Sequence, residues 1–518
     1  MAMQKDTVLV IGAGMGGLAA AIRLAAAERA VTLLEAHPWP GGKMRTTPSA
    51  AGPVDAGPTV LTLRDVLDDL FDAAGTDTQA HVTLTPLPVL ARHFWTDGAR
   101  LDLFADPDRN AEAIGAAFGA RSGAEFTRFA RETRALFTAF DTSIMRSPRP
   151  QPLAAARAVL SRPALLPWLA PGRTLEAMLT ARFSDPRLRQ LFGRYATYVG
   201  GNPALAPAVL GLIWQAEAAG VWAVRGGMAA LAQALAGLFT ALGGTLQLNT
   251  PVARITSAGS DVTGVQLANG ETIPAAQVIF NGDPAALPFL LNQPQRAPGQ
   301  RQIEPRSLSA QVWTFAARVR PDGLGPQALA YHTVFFADDP AQEFGPLAQG
   351  LCPDAPTIYV CAQDRIGPQP ADLERFQFIL NAPPLPRDHK DMPCPSFPRD
   401  RLARFGLHLT PEPGQAALTR PQDFARLFPH SQGALYGLSP NGVMATFQRP
   451  TARMRIAGLY LAGGGVHPGA GVPMALISGK HAAAAALSDR ISAPMFRPMA
   501  MRGGISTGSA MTARAPSR

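Results

Sequence analysis

Residues 7–45 constrain the fold of this chain more than any other stretch. Thr7-Val8-Leu9-Val10-Ile11 is a short apolar run with β-branched weight, and it stops at Gly12. Gly12, Gly14 and Gly17 follow in G-x-G-x-x-G spacing, with Gly16 among them. They head an Ala- and Leu-rich run from Leu18 to Ala27 that reads as a helix. A second apolar run, Ala30-Val31-Thr32-Leu33-Leu34, closes on Glu35. Strand, glycine turn, helix, strand and acid make a βαβ unit suited to a dinucleotide. The glycines let the backbone turn tightly and approach a pyrophosphate, which the free amides and dipole of a helix N-terminus favour. Glu35 is placed to accept from ribose hydroxyls. A solitary glycine fingerprint is weak; the flanking strands and the acid give this one its weight.

Beyond Glu35 comes Gly41-Gly42-Lys43-Met44-Arg45-Thr46, a second glycine pair with two cations. A nicotinamide enzyme has no requirement for it. The loop resembles the G-G-[RK]-x-x-[TS] segment of the FAD-dependent oxidoreductases that include amine oxidases and carotenoid desaturases. That resemblance implies that the loop lies against the diphosphate and the flavin, with Lys43 or Arg45 as counter-charge. It also implies that Gly57-Pro58-Thr59 approaches the isoalloxazine ring; taken alone, Gly-Pro is only a turn signal.

At 518 residues the chain has room for two or three domains and a large core. Its net charge is +9, from four lysines and 43 arginines against 38 acids. The cations are dispersed, and no basic tract with interleaved aromatics argues for nucleic acid. An anionic membrane surface suits such an excess better; a bias of genome composition explains it equally. Cys352, Cys361 and Cys394 form no Cys-x-x-Cys, so neither a disulfide framework nor a metal site is expected, as suits a reducing cytosol. Lys5 ahead of an apolar run imitates a signal peptide, but the glycine turn and Glu35 account for the same residues. Residues 456–479 lack charge, yet seven glycines and two prolines break them, so no transmembrane helix is expected.

Along the chain, residues 61–140 read as mostly helical, interrupted by a hairpin over 92–104 that turns at Asp97-Gly98. Residues 111–140 read as one amphipathic helical stretch. Residues 146–173 hold six prolines, Leu153, Leu160, Leu165, Leu166, Trp168 and Leu169, and only positive charges. They read as an interfacial membrane element or as a surface loop with helical pieces. The aromatics of 185–201, among them Phe192 and Tyr195, are core or cavity lining. Arg225-Gly226-Gly227-Met228 opens a helix to Leu242, and strands are expected at 243–248, 251–255, 262–267 and 277–280. Further strands at 309–319, 332–336, 357–361 and 376–380 suggest a sheet roofing the cofactor. Near the end, a strand runs into Gly463-Gly464-Gly465-Val466-His467-Pro468-Gly469-Ala470-Gly471-Val472-Pro473 and a helix from Met474 to Leu487. That helix N-terminus can face a flavin and stabilise negative charge on the reduced ring. Residues 491–518 carry no acid and little periodicity, which predicts a disordered tail.

Four blocks, residues 12–35, 41–59, 220–283 and 458–480, resemble in order the phytoene-desaturase-type carotenoid desaturases. Residues 42–47, 52–62 and 192–201 are most similar to the 1-hydroxycarotenoid 3,4- (hydroxyneurosporene) desaturases of purple bacteria, which are photosynthetic. The resemblance implies an α/β fold: a Rossmann-like FAD-binding domain of the glutathione-reductase/amine-oxidase type, a mixed-sheet substrate domain and a helical membrane-facing subdomain. The implied bounds are 1–85, 220–285 and 452–490 for FAD; 86–110 and 286–451 for substrate; 111–219 for the helical part. It implies FAD contacts at Gly12, Gly14, Gly16, Gly17, Glu35, Gly42, Lys43, Arg45, Gly57, Pro58, Thr59, Val252 (through its backbone), Gly463, Gly464, Gly471, Val472, Pro473 and Met474. His467 is the one candidate catalytic residue.

The implied chemistry is dehydrogenation of a CH2–CH2 unit beside a polyene. Hydride passes to the flavin and a proton leaves the neighbouring carbon. The implied partners are a long-chain carotenoid, a membrane surface and an electron acceptor, oxygen or a quinone. The implied location is peripheral, on the cytoplasmic face of the inner or intracytoplasmic membrane. Three alternatives stay open: a multi-step phytoene desaturase, a flavin amine oxidase, and a non-enzymatic lipid carrier on the same fold.

Overall fold

Strand β1 (Thr7–Ile11), helix α1 (Met15–Ala26) and strand β2 (Ala30–Leu34) form where the glycine turn dictates. The strands pair in parallel, Thr7 beside Ala30 and Ile11 beside Leu34. Distant segments complete the sheet with β3 (Thr245–Gln247), β4 (Gln277–Phe280) and β5 (Leu459–Leu461). The result is five strands, all pairs parallel, in the order β5-β4-β1-β2-β3. The largely apolar sequences of β1, β2, β4 and β5 suit a sheet covered on both faces, while the edge strand β3 is mostly exposed. In the computed structural model, residues 7–292, 305–367, 372–386, 396–412, 415–442 and 445–492 are described.

Helices α2 (Arg64–Ala73), α3 (Met228–Ala241) and α4 (Val472–Ser492) pack with α1 into one hydrophobic cluster on this sheet. α1 and α4 are rich in Ala and Gly, which lets their backbones approach closely. A Cβ on Gly479 of α4 would lie 2.8 Å from that of Ala19. This contact draws the amino end of α1 and the glycine loop before α4 to the same place.

The expected meander is present as strands Val252–Ala258, Asp261–Leu267 and Thr272–Pro274. An eight-stranded mixed sheet stands over the loops that follow β2. Its main path is Leu409–Pro411, Ser309–Val319, Glu374–Ala382, Ile358–Ala362, His332–Phe335, Ala91–Phe94 and Arg100–Leu103. Its pairs are antiparallel except where Thr333 meets Arg92. One face carries an apolar cluster with Phe315, Phe335, Phe376 and Phe378. The other face meets residues 47–57: Thr47 Oγ1 donates to Thr314 Oγ1 (2.7 Å), and Gln377 Nε2 donates to the Gly57 carbonyl (2.8 Å).

The helical part differs from expectation in two ways. The stretch over 111–140 is two helices, Pro107–Phe118 and Ala120–Phe140, parted at Gly119 with φ +93°. Trp168 is not interfacial: it is buried, and its Nε1 donates to Glu132 (2.9 Å). Leu153, Leu160 and Leu166, by contrast, are 78%, 64% and 44% exposed. Phe192 and Tyr195 are core residues, stacked among Phe126, Phe129, Phe183 and Trp214.

The cysteine expectation also changes: Cys352 is disulfide-bonded, while Cys361 is free and buried. Cys394 and the tail from 493 onward lie outside the described residues. Among those residues no helix is long and apolar enough to cross a membrane.

Candidate cofactor and active site

The amino-terminal glycines and the carboxy-terminal glycine loop converge on Asn281, the residue after β4. Its Nδ2 donates to the Gly12 carbonyl (2.9 Å). A Cβ on Gly16 would come 2.6 Å from both Asn281 Oδ1 and the Gly463 amide nitrogen, so only glycine permits this approach. The Gly463 amide donates to Ser478 Oγ on α4 (2.7 Å). Gly14 caps α1 without a side chain, and Gly17 sits against the Gly12 carbonyl, leaving the first amides of the helix open to a ligand.

Glu35 is buried and firmly placed. One carboxylate oxygen accepts from the Ala13 amide (2.7 Å) and the other from His37 (2.9 Å). Its carbonyl accepts from Thr250 (2.7 Å), which brings the start of the Val252 strand beside it. The second glycine pair folds back on the first: Gly41 donates to the Ala13 carbonyl (2.7 Å), and a Cβ on Gly42 would sit 3.2 Å from Gly14 Cα.

Lys43 is half-buried, with Nζ donating to the Leu435 carbonyl. Desolvation pushes its pKa down to about 8; Asp283 opposes the shift, and Arg306 and Arg449 add to it. Arg449 is likewise pushed down by burial, to about 10, while holding the carbonyls of Tyr436, Gly464 and Leu438 at 2.9, 2.9 and 3.0 Å. Arg306 pairs with Asp283. Arg45 NH2 donates to Thr419 Oγ1 (2.6 Å), but its buried Nε has no partner among the described residues. Three cations around one carboxylate, with an unpartnered guanidinium nitrogen near the same loop, form an environment that an anion would relieve. The residues present therefore fit a cofactor carrying a diphosphate.

The Gly57 turn lies directly under this loop, since a Cβ on Gly57 would overlap the Lys43 carbonyl. Pro58 follows, and Thr59 Oγ1 is 2.6 Å from Tyr359 Oη on the mixed sheet. Asp55 was not singled out by sequence; it caps α3 by accepting from Met228 (2.6 Å) and Ala229 (3.1 Å). Burial raises its pKa against those two amides. Asn281 was missed too, because a polar residue ending a strand looks like an ordinary turn. Gly464 and Gly471 lie in the loop that leads to Val472, Pro473 and Met474, the first turn of α4. Met474 packs against the large apolar cluster.

His467 sits in the same loop, but its ring faces backbone. Nε2 is 2.9 Å from the Ser147 carbonyl, the Ile144 carbonyl is a second neighbour, and the ring stacks on His481 at 6.0 Å. Burial lowers its pKa, and the carbonyls oppose that shift. His481 is pushed to about 4 by burial and lies 3.1 Å from the Arg146 carbonyl. The two imidazoles therefore grip the end of the helix Ala120–Phe140 and the turn after it.

Residues 15–330 match the family of flavin containing amine oxidoreductases. The chain is 55% identical to the hydroxyneurosporene desaturase of Cereibacter sphaeroides, over 94% of this chain and 98% of that protein. The chain belongs to the carotenoid desaturases of the flavin amine oxidoreductase family. A second carotenoid-desaturase relative, the hydroxyneurosporene desaturase of Rhodobacter capsulatus, is 52% identical over 95% of this chain and 100% of that protein. Among solved structures, cyclohexylamine oxidase from Brevibacterium oxydans shares the fold, with TM-score 0.58 and 18% identity over 94% of this chain and all of that one. This carotenoid desaturase is thus an FAD-dependent oxidoreductase of α/β architecture with mixed sheets.

Proposed function

We propose that the chain introduces a carbon–carbon double bond into an acyclic carotenoid, by 3,4-desaturation of a 1-hydroxy or 1-methoxy substrate such as 1-hydroxyneurosporene. The observation that carries this reading is the near full-length likeness to hydroxyneurosporene desaturases. In this reading the open amides of α1, with Gly12, Gly14, Gly16 and Gly17, receive the diphosphate. Glu35 takes the ribose, and Val252 lies on the adenine side. Gly42, Lys43 and Arg45 cover the diphosphate and flavin, and Gly57, Pro58 and Thr59 meet the ring. Gly463, Gly464, Gly471, Val472, Pro473 and Met474 place the α4 amino end at its pyrimidine edge.

FAD, when bound, supplies the hydride acceptor. The chain's own contribution is to hold a linear hydrocarbon across the ring, to exclude water with the mixed sheet, and to keep positive charge near the reduced cofactor. Lys43 and Arg449 supply that charge. His467 enters as a positioning residue that fixes the loop before α4 to the helical part; no side chain is assigned as base.

The substrate has almost no solubility in water, so the protein must collect it from a membrane. Leu153, Leu160 and Leu166 project into solvent beside Arg149, Arg157 and Arg162, which are also exposed. Apolar side chains set among cations suit a peripheral contact with an anionic bilayer, on its cytoplasmic side. Oxygen or a membrane quinone would then reoxidise the cofactor.

Anaerobic mixing of the purified, FAD-loaded protein with 1-hydroxyneurosporene in detergent tests the reading. The yellow flavin absorption should bleach within the time course. Bleaching by a primary amine and not by the polyene would replace this reading with that of an amine oxidase.

A further inference from the structure

A buried polar group lies in the helical part, and holding FAD does not account for it. Tyr195 and Tyr198 donate to the two oxygens of Glu217, at 2.9 and 2.6 Å. Arg194 NH1 donates to Tyr198 Oη (2.8 Å), and its NH2 is 3.9 Å from Glu217. Arg194 and Glu217 are both buried, yet Nε and NH2 of Arg194 have no hydrogen-bond partner among the described residues. Burial pulls the Arg194 pKa down, but Tyr198 and Glu217 outweigh it and keep the guanidinium charged.

The sheet supplies the other half. Tyr359 Oη bridges Thr59 Oγ1 and His332 Nδ1, at 2.6 Å to each. His332 stands opposite Cys361, Cys361 opposite Gln377, and Gln377 opposite Thr314. Residues opposed across antiparallel strands share a face, so His332 is on the side that touches residues 47–57. Its Nε2 is buried without a partner. Burial first, and then the charge of Arg194, push its pKa to about 3, so the ring is neutral. Tyr359 can donate to Nδ1, and in that tautomer the neutral imidazole carries its proton on Nε2. Tyr198, which is bonded to Arg194, and Tyr359, which is bonded to His332, pack against the same hydrophobic cluster. Two sets of buried nitrogens without partners thus flank one region, and such groups are uncommon enough to call for a ligand.

We propose that His332 Nε2 and the Nε/NH2 edge of Arg194 receive the oxygen at the hydroxyl-bearing end of the acyclic polyene. The inference rests on the desaturase reading above. In 3,4-desaturation a single methylene separates the carbinol carbon from the nearer reacting carbon, so whatever recognises the oxygen must stand beside the cofactor ring. The relay Thr59–Tyr359–His332 begins at the turn assigned to that ring. Both donors accept an ether oxygen as readily as a hydroxyl, which admits a methoxy end. An unhydroxylated end leaves both donors buried and unpaired, and a site of that kind discriminates strongly.

The test is kcat/KM of the FAD-loaded protein for 1-hydroxyneurosporene against neurosporene. The hydroxylated substrate should be preferred by about 100-fold or more. His332→Phe, and the charge-balanced pair Arg194→Met with Glu217→Gln, should each lower that preference at least about tenfold. His332→Gln, which restores a donor near the Nε2 position, should recover much of it. Flavin absorption of each variant reports that it is folded and loaded; if the double variant fails to fold, the His332 pair decides. Flavin-bearing variants that keep the wild-type preference overturn the inference. Equal wild-type rates on both polyenes overturn it while leaving the desaturase reading intact. Conversion of neither polyene overturns that reading itself.

Discussion

Asn281 is a single side chain on which four glycines depend. It holds the Gly12 carbonyl and fills the space that side chains at Gly14, Gly16 and Gly463 would otherwise need. Asn281→Ala removes one hydrogen bond, a loss of about 1 kcal/mol, and should weaken FAD binding roughly fivefold. Asn281→Asp keeps the shape but places an anion beside the diphosphate turn, and should weaken binding further. Titration of apoprotein with FAD measures both; unchanged affinity in the Asp variant would contradict this role.

Lys43 makes a second prediction, from its depressed pKa of about 8. An anionic cofactor favours the charged lysine. Below about pH 8 that form is already present, and above it the proton must be taken up on binding. FAD affinity should therefore fall as pH rises above 8, by up to about tenfold per unit, and Lys43→Met should remove that slope. A flat profile in the unsubstituted protein would place the diphosphate elsewhere. Neither residue's role was legible in sequence to this depth. Lys43 was visible as a cation in a glycine loop, but the groups that surround its ammonium, Asp283, Arg306, Leu435 and Arg449, come from far along the chain.

At the scale of elements, legibility followed locality. The β1-α1-β2 unit and the strand Gln277–Phe280 announce themselves by apolar runs, Ser309–Val319 by its β-branched and aromatic residues, and the hairpin at Asp97-Gly98 by its turn pair. The helical part was less legible because its apolar residues divide between core and surface in a way that composition does not encode. Trp168 turns inward to Glu132, while Leu153, Leu160 and Leu166 turn out. Those three leucines carry the membrane proposal. Replacing all three with Gln should lower co-sedimentation with anionic liposomes at least about tenfold, by removing apolar area from the contact. Turnover in detergent should change much less. Undiminished liposome binding would assign the segment to ordinary surface.

At the scale of the whole molecule, two sheets divide the work. The parallel sheet gathers glycine loops that lie more than 400 residues apart in sequence, Gly12–Gly17 and Gly463–Gly471, at the place proposed for the cofactor. The mixed sheet meets residues 47–57, and the proposed oxygen site draws on that face and on Arg194 of the helical part. Cofactor recognition was legible because it resides in short motifs. The proposed substrate recognition was not, because Arg194, Glu217 and His332 are scattered along the chain and carry no shared motif. The direct test of the account is incubation of the purified, FAD-loaded protein with phytoene, neurosporene and 1-hydroxyneurosporene separately, with products followed by their visible spectra. Conversion of 1-hydroxyneurosporene to a product with one more conjugated double bond, well ahead of the other two, is the predicted result. Conversion of phytoene alone would contradict it.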